Sequence, residues 1–138
     1  MKPSYSKTLS KNDTGESGGH QGGILVPKKD LALLKFFPQV DLEEFNPEAW
    51  IICVDPDGEE WKMRYVYYNG KTFNPKRSTR NEYRITYMTK FFNKWSARCN
   101  DQVIFTATNS PNRFEIEIKK ASKSRSSVIV LTGWNRVC

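Results

Sequence analysis

Thr79-Arg80-Asn81-Glu82-Tyr83-Arg84-Ile85-Thr86 is the segment whose residue types and spacing carry the most chemistry. Side chains alternate along an extended strand, so Arg80, Glu82 and Arg84 share one face. Arginine donates two N–H bonds to O6 and N7 of guanine, and glutamate accepts from the amino group of cytosine. An Arg-x-Glu-x-Arg face set in a major groove is therefore a compact reader of G/C pairs. The glutamate is informative, because it repels phosphates and a nonspecific binder gains nothing from it. The same residues also suit a ladder of surface ion pairs, each contributing about 0–1 kcal/mol. The segment alone leaves both readings open.

Charge around this segment is unevenly spread. Residues 30–60 hold nine acidic residues against one lysine, whereas residues 62–98 hold ten basic residues against the single Glu82. The whole chain carries a net charge of +7. A block this lopsided sets up the local positive field that a phosphate backbone selects. Lys71, Lys76, Arg77, Lys90, Lys94 and Arg98 flank the reader segment and suit phosphate positioning rather than base reading. Taken singly, each is equally an ordinary solvated lysine or arginine.

Other chemistries find less support. His20 is the only histidine, which removes histidine-cluster metal ligation and leaves nucleophilic catalysis without an oriented base. In its Gly-rich setting it suits hydrogen bonding to a base or phosphate, or plain exposure on a loop. Pro56-Asp57-Gly58-Glu59-Glu60-Trp61-Lys62 resembles a Mg²⁺ nuclease signature built on Asp57, Glu60 and Lys62. The carboxylates are too closely spaced, however, and fit a tight turn. A calcium loop at Asp55, Asp57 and Glu59 lacks its bidentate glutamate. Gly15 to Gly19 lacks the Gly-Lys-[Ser/Thr] of a phosphate-binding loop. The four tryptophans and six tyrosines could stack on unpaired bases, but most fall at alternating strand positions that suit a core.

The elements that must position these residues are short. Residues 1–23 read as a flexible tail, although five glycines between Gly15 and Gly23 equally mark a shaped loop needing positive φ. Gly23–Pro27 is expected as a strand, Asp30–Phe37 as a short helix stopped by Pro38, and Glu48–Asp55 as a buried strand. Asp55-Pro56-Asp57-Gly58 is a turn, and Trp61–Tyr68 completes a hairpin. Asn69–Arg80 reads as a basic loop, Glu82–Tyr87 as a strand and Thr89–Ala97 as a short helix. Gln102–Thr108, Arg113–Lys119 and Ser127–Thr132 supply three more strands. The fold class is therefore mainly β with one or two short helices, a small barrel or pseudobarrel of seven or so strands.

With 138 residues, 38% of them hydrophobic, the chain suffices for one domain with one core. The odd cysteine count, Cys53, Cys99 and Cys138, argues against a disulfide framework and for a reduced intracellular setting. There is no membrane-length apolar run and no signal-peptide core, so a cytoplasmic protein is expected.

Two separated motifs carry a family resemblance. Lys7-Thr8-Leu9-Ser10-Lys11-Asn12-Asp13-Thr14-Gly15-Glu16-Ser17-Gly18-Gly19-His20-Gln21 resembles the leading signature of the N-terminal effector domains of EcoRII-type restriction endonucleases. Tyr67-Tyr68-Asn69, followed by Thr79-Arg80-Asn81-Glu82 and Arg84-Ile85-Thr86, is similar to that family's second signature. The resemblance implies a DNA-binding pseudobarrel with two arms in the major groove, at residues 7–25 and 76–90. It implies base reading by His20, Arg80, Glu82 and Arg84. It implies backbone contacts by Lys7, Lys11, Asn12, Asp13, Gln21, Lys76, Arg77, Ser78, Asn81, Tyr83 and Lys90. Ser78 and Tyr83 replace lysines of the family pattern, and Leu25 replaces an aromatic.

The implied target is a CC(A/T)GG-like duplex. The implied setting is a prokaryotic type II restriction endonuclease, in which such a domain regulates a separate C-terminal nuclease domain. Residues 1–138 are then one non-catalytic, monomeric DNA-binding domain without cofactor, Mg²⁺ being expected only in the absent nuclease domain. The alternatives are a minimal Mg²⁺ nuclease and a barrel that binds single-stranded nucleic acid.

Overall fold

The computed structural model describes residues 2–16, 18, 23–121 and 133–137. The described residues form eight strands and four short helices. The strands are β1 (Ser4–Thr8), β2 (Ile24–Val26), β3 (Glu48–Val54), β4 (Glu60–Tyr68), β5 (Glu82–Thr86), β6 (Gln102–Ala107), β7 (Arg113–Lys119) and β8 (Trp134–Arg136). The helices are α1 (Lys11–Thr14), α2 (Leu31–Phe36), α3 (Gly70–Phe73) and α4 (Thr89–Lys94). None is long and apolar enough to cross a membrane.

All eight strands belong to one sheet in the order β2-β5-β4-β3-β7-β6-β1-β8. Pairing is antiparallel except for β3 with β7. The sheet curls until its edges meet: Trp134 on β8 donates its indole N–H to the carbonyl of Leu25 on β2 at 2.7 Å. This is the mainly β pseudobarrel expected from the spacing of apolar residues.

The core follows from strand alternation. Ile24 pairs with Ile85, and Ile85 with Tyr65, so these three point to one side of the sheet, and all are buried. Met63, Ile51, Cys53, Val103, Phe105, Phe114 and Ile116 continue the same interior. Helix α2 buries Leu33 and leads into Phe37, which stacks on Tyr65, meets Phe105 edge-on and lies tilted against Phe114. Such ring pairs add about 0.5–1.5 kcal/mol beyond the area they bury. Burial drives the Cys53 thiol pKa strongly upward, and Cys53 is free, as is Cys99.

Two expectations are corrected. The tail reading of residues 1–23 fails for its first part: β1 pairs with both β6 and β8 and is buried throughout. Its sequence, Ser-Tyr-Ser-Lys-Thr, has one apolar residue, so periodicity could not reveal it. The Asn69–Arg80 loop contains α3, which is capped at its C-terminal end by Asn74 N–H donating to Gly70 O. The expected strand at 127–132 lies outside the described residues.

Candidate nucleic-acid interface

The turn before β4 shows first what the site is not. Asp55 is fully buried and accepts from the indoles of Trp61 and Trp95, from Lys94 Nζ at 2.7 Å, and from the backbone N–H groups of Asp57 and Glu59. Burial alone would raise the Asp55 pKa, but these donors outweigh it and hold the carboxyl below its usual range. Asp57 and Glu59 also converge on Lys94, whose pKa they raise together with Asp55. The position between these carboxylates is therefore filled by an ammonium group. Glu60 pairs instead with Arg113, and Lys62 lies over the ring of Trp50. Asp57, Glu60 and Lys62 thus have three different partners, and among the described residues no cluster suits a metal ion. The Mg²⁺ nuclease reading loses its geometry.

Glu82 and Arg84 alternate on β5, and Arg80 lies two residues before Glu82, outside the strand. Strand β5 runs between β2 and β4, with Arg84 opposite both Leu25 and Val66, and Glu82 opposite Tyr68. Glu82 and Arg84 therefore lie on the outer face of the barrel wall. Arg84 Nε donates to Glu82 Oε2 at 3.1 Å, and Nη2 lies 3.0 Å from the same oxygen. Arg84 Nη1 donates to the carbonyl of Gly23 at 3.0 Å. Arg80 Nη1 stands 4.0 Å from Glu82 Oε1, with the Arg80 side chain 77% exposed. Guanidinium, carboxylate and guanidinium form one ladder whose outer member is open to solvent. Arginine has five N–H donors, so Arg84 keeps at least one free N–H on each terminal nitrogen.

Gly23 is the point where the N-terminal arm joins the barrel. Its φ is +81°, and a Cβ there would lie 2.1 Å from the carbonyl oxygen of Ile85. Only glycine lets the arm approach β5 this closely. The earlier half of the arm is anchored separately. Ser10 and Asp13 form a reciprocal cap on α1, and Gly15 ends that helix in the left-handed region. Glu16 accepts from the Cys99 backbone N–H at 2.6 Å, which keeps its pKa low together with the Thr14 hydroxyl.

The expected backbone contacts divide by location. Lys11, Asn12, Lys76, Arg77 and Lys90 are exposed. Lys7 and Asp13 are buried and face each other at 2.5 Å, Asp13 also accepting from the Ser10 backbone N–H. In this arrangement they shape the arm rather than its surface, because both side chains are only 8% exposed and are paired with each other. Tyr83 is likewise turned the other way: its odd position on β5 stacks it on Tyr65 and Tyr67 at the core side, and burial raises its pKa. Asn81 ties the C-terminal arm to α3, its side chain bonding the backbone N–H and hydroxyl of Thr72. Ser78 packs against Gly70 so closely that a Cβ on the glycine would lie 2.5 Å from its hydroxyl. His20 and Gln21 lie outside the described residues.

Three structural supports escaped the sequence reading. Lys28 reaches across to the carbonyl of Asn81 at 3.2 Å, and its only signal was the Lys-Lys pair after Pro27. Asn69, fully buried, exchanges bonds with Asn46, donates to the Glu44 carbonyl and so fixes the chain as it leaves β4. Trp134 closes the barrel from a strand that no periodicity marked.

Comparison with known proteins gives a consistent result. The type II restriction enzyme EcoRII of Escherichia coli is 39% identical over 85 residues, 59% of this chain but 20% of that protein. Auxin response factor 16 of Arabidopsis thaliana is 25% identical over 136 residues, 98% of this chain and 18% of that protein. The chain thus spans about a fifth of the length of these curated relatives. Among solved structures, the Arabidopsis FUS3-DNA complex superposes with a TM-score of 0.61 at 20% identity, over 85% of this chain and 96% of that one. The family described as "Restriction endonuclease EcoRII, N-terminal" matches residues 2–110, and the chain belongs to that family.

Proposed function

We propose that this domain recognises double-stranded DNA in a sequence-specific way, through two arms rooted side by side on β2 and β5. The observation that carries the reading is the Arg80–Glu82–Arg84 ladder at the start of β5, tied by Arg84 to the root of the other arm at Gly23. A carboxylate between two guanidiniums lowers the blind attraction for phosphate and leaves directional donors, the signature of base readout rather than of backbone binding. The exposed Lys76, Arg77, Lys90 and Lys11 supply the nonspecific field. The relatives support this reading by kind: one is a restriction enzyme, and the solved neighbour is a DNA complex.

In the fuller proposal the target is a CC(A/T)GG-like duplex. His20, Arg80, Glu82 and Arg84 read bases. The domain is the regulatory part of a cytoplasmic restriction endonuclease whose nuclease domain holds the Mg²⁺ chemistry. A fluorescence titration at fixed salt, comparing a CC(A/T)GG duplex with a scrambled one and with single strands, tests the core of it. Tighter binding of the specific duplex by a factor of about 10³ or more is expected. Equal affinity for both duplexes, or preference for single strands, overturns the reading.

A further inference from the structure

An open groove of about 340 Å³ runs between the end of β2 and the C-terminal arm. Lys28 lies on one wall, Lys71 and Arg80 on the other, with Glu82 among the lining residues. Its frame is internally braced. Lys28 Nζ donates to Asn81 O, Asn81 clamps Thr72 through two hydrogen bonds, and the Lys71 backbone N–H donates to Arg80 O. The walls therefore hold their spacing without a ligand. Lys28 has three N–H donors and commits one to Asn81. Lys71 and Lys28 are exposed, and the Arg80 side chain is 77% exposed with Glu82 4.0 Å away on one side.

Three cations against one carboxylate give this groove a net positive charge beside the base-reading ladder, and its open form suits a chain passing through rather than an enclosed small molecule. We infer that Lys28 and Lys71, beside Arg80, form a phosphodiester-binding site that seats one backbone phosphate of the bound duplex and so sets the register in which Arg80 and Arg84 meet their bases. The site rests on the DNA-binding reading and adds to it a wall, the β2 end with Lys28, that belongs to neither arm's reading residues. Geometry favours this assignment over an isolated surface lysine, because residues 28, 71 and 80 come from three separate stretches of chain and converge on one space.

The test pairs a protein change with a DNA change. Wild-type domain, Lys28→Ala and Lys71→Ala are titrated with the specific duplex, with a scrambled duplex, and with specific duplexes carrying one neutral methylphosphonate at each backbone position in turn. Lys29→Ala, a neighbouring exposed lysine outside the groove lining, serves as control. Loss of one phosphate contact lowers the salt slope by about 0.9, which corresponds to roughly five-fold weaker binding at 0.15 M salt.

The expected result is that Lys28→Ala and Lys71→Ala weaken specific and scrambled duplexes alike by about that factor, and Lys29→Ala does not. One methylphosphonate position that weakens wild type should leave Lys28→Ala unaffected. The site is overturned if no methylphosphonate position loses its effect in Lys28→Ala, or if inorganic phosphate displaces the duplex equally from wild type and from Lys28→Ala. Failure of wild type to bind any duplex is a different outcome, and it refutes the DNA-binding reading itself.

Discussion

Arg84 Nη1 donates to the carbonyl of Gly23 at 3.0 Å, so a side chain of one arm is bonded to the root of the other. The two arms are therefore not independent projections. Arg84 also holds Glu82, and a shift of Gly23 moves the reader that both arms share.

Gly23→Ala places a Cβ where the Ile85 carbonyl stands, on a backbone at φ +81°. The carbonyl is part of the sheet and cannot rotate away, so the arm root must move. Strained positions of this kind cost about 1–3 kcal/mol. A thermal melt should show a modest loss of stability, and duplex titration a loss of discrimination between specific and scrambled DNA. A variant that melts like wild type and discriminates equally well would show that the arm root has no such constraint.

Asp55 is the barrel's buried charge. Its pKa is depressed in the fold below the ordinary 3.8, so it contributes stability that is fully present above that value and is lost as pH falls toward the folded pKa. Asp55→Ala leaves two indole N–H groups and the Lys94 ammonium without their shared acceptor. Lys94 keeps Asp57 and Glu59 as partners, so the loss falls on the donors left without an acceptor and is about 1–3 kcal/mol. Urea denaturation at pH 7 and at pH 3 should show wild type weaker at the lower pH, and Asp55→Ala weaker at pH 7 with a smaller decline on acidification.

Asp13→Ala removes the carboxylate that caps α1 and neutralises buried Lys7. Ser10 still caps the Asp13 backbone N–H, so the cap loss is below the roughly 1 kcal/mol of a whole N-cap, and an unpaired buried lysine adds to it. Asp13→Asn keeps a cap acceptor and drops the charge, so it isolates the second effect. Hydrogen exchange at residues 10–14 checks both, with faster exchange expected in Asp13→Ala than in Asp13→Asn.

Lys76 and Arg77 are exposed on the C-terminal arm. As phosphate contacts, each should flatten the salt dependence of duplex binding by about one unit when changed to alanine, for specific and scrambled sequences alike. Stability should stay within about 0.5 kcal/mol of wild type, as for surface changes generally. A sequence-dependent loss in either variant would reassign it to base reading.

Much of this architecture is legible in the residues, for a physical reason that varies along the chain. Strands β3, β4 and β7 carry dense apolar residues, so their existence and limits follow from alternation. The same alternation puts Glu82 and Arg84 on the outer face and Tyr83 on the inner one, against Tyr67. Strand β1 was illegible because it is buried by its neighbours rather than by its own hydrophobicity. Lys7 illustrates this, a lysine in an interior strand whose charge is balanced by Asp13, six residues later.

Site assembly was legible only where the contacts are local. Arg80, Glu82 and Arg84 lie two residues apart and had to meet. The contacts of Arg84 with Gly23 and of Lys28 with Asn81 join positions far apart in sequence, and depend on β2 lying beside β5. The Asp55–Lys94 pair depends in the same way on α4 packing against the hairpin turn. The turn sequence correctly predicted a turn, but nothing in it announced that a lysine would fill the space between its carboxylates.

The most direct test of base readout by the ladder is a complete set of single base-pair substitutions across the specific site, measured with wild type, Arg80→Ala and Arg84→Ala. Each variant should lose about 1–3 kcal/mol of discrimination at its own guanine position, with the preferences elsewhere retained. A uniform loss of affinity at every position, with the wild-type preference pattern unchanged, would contradict it.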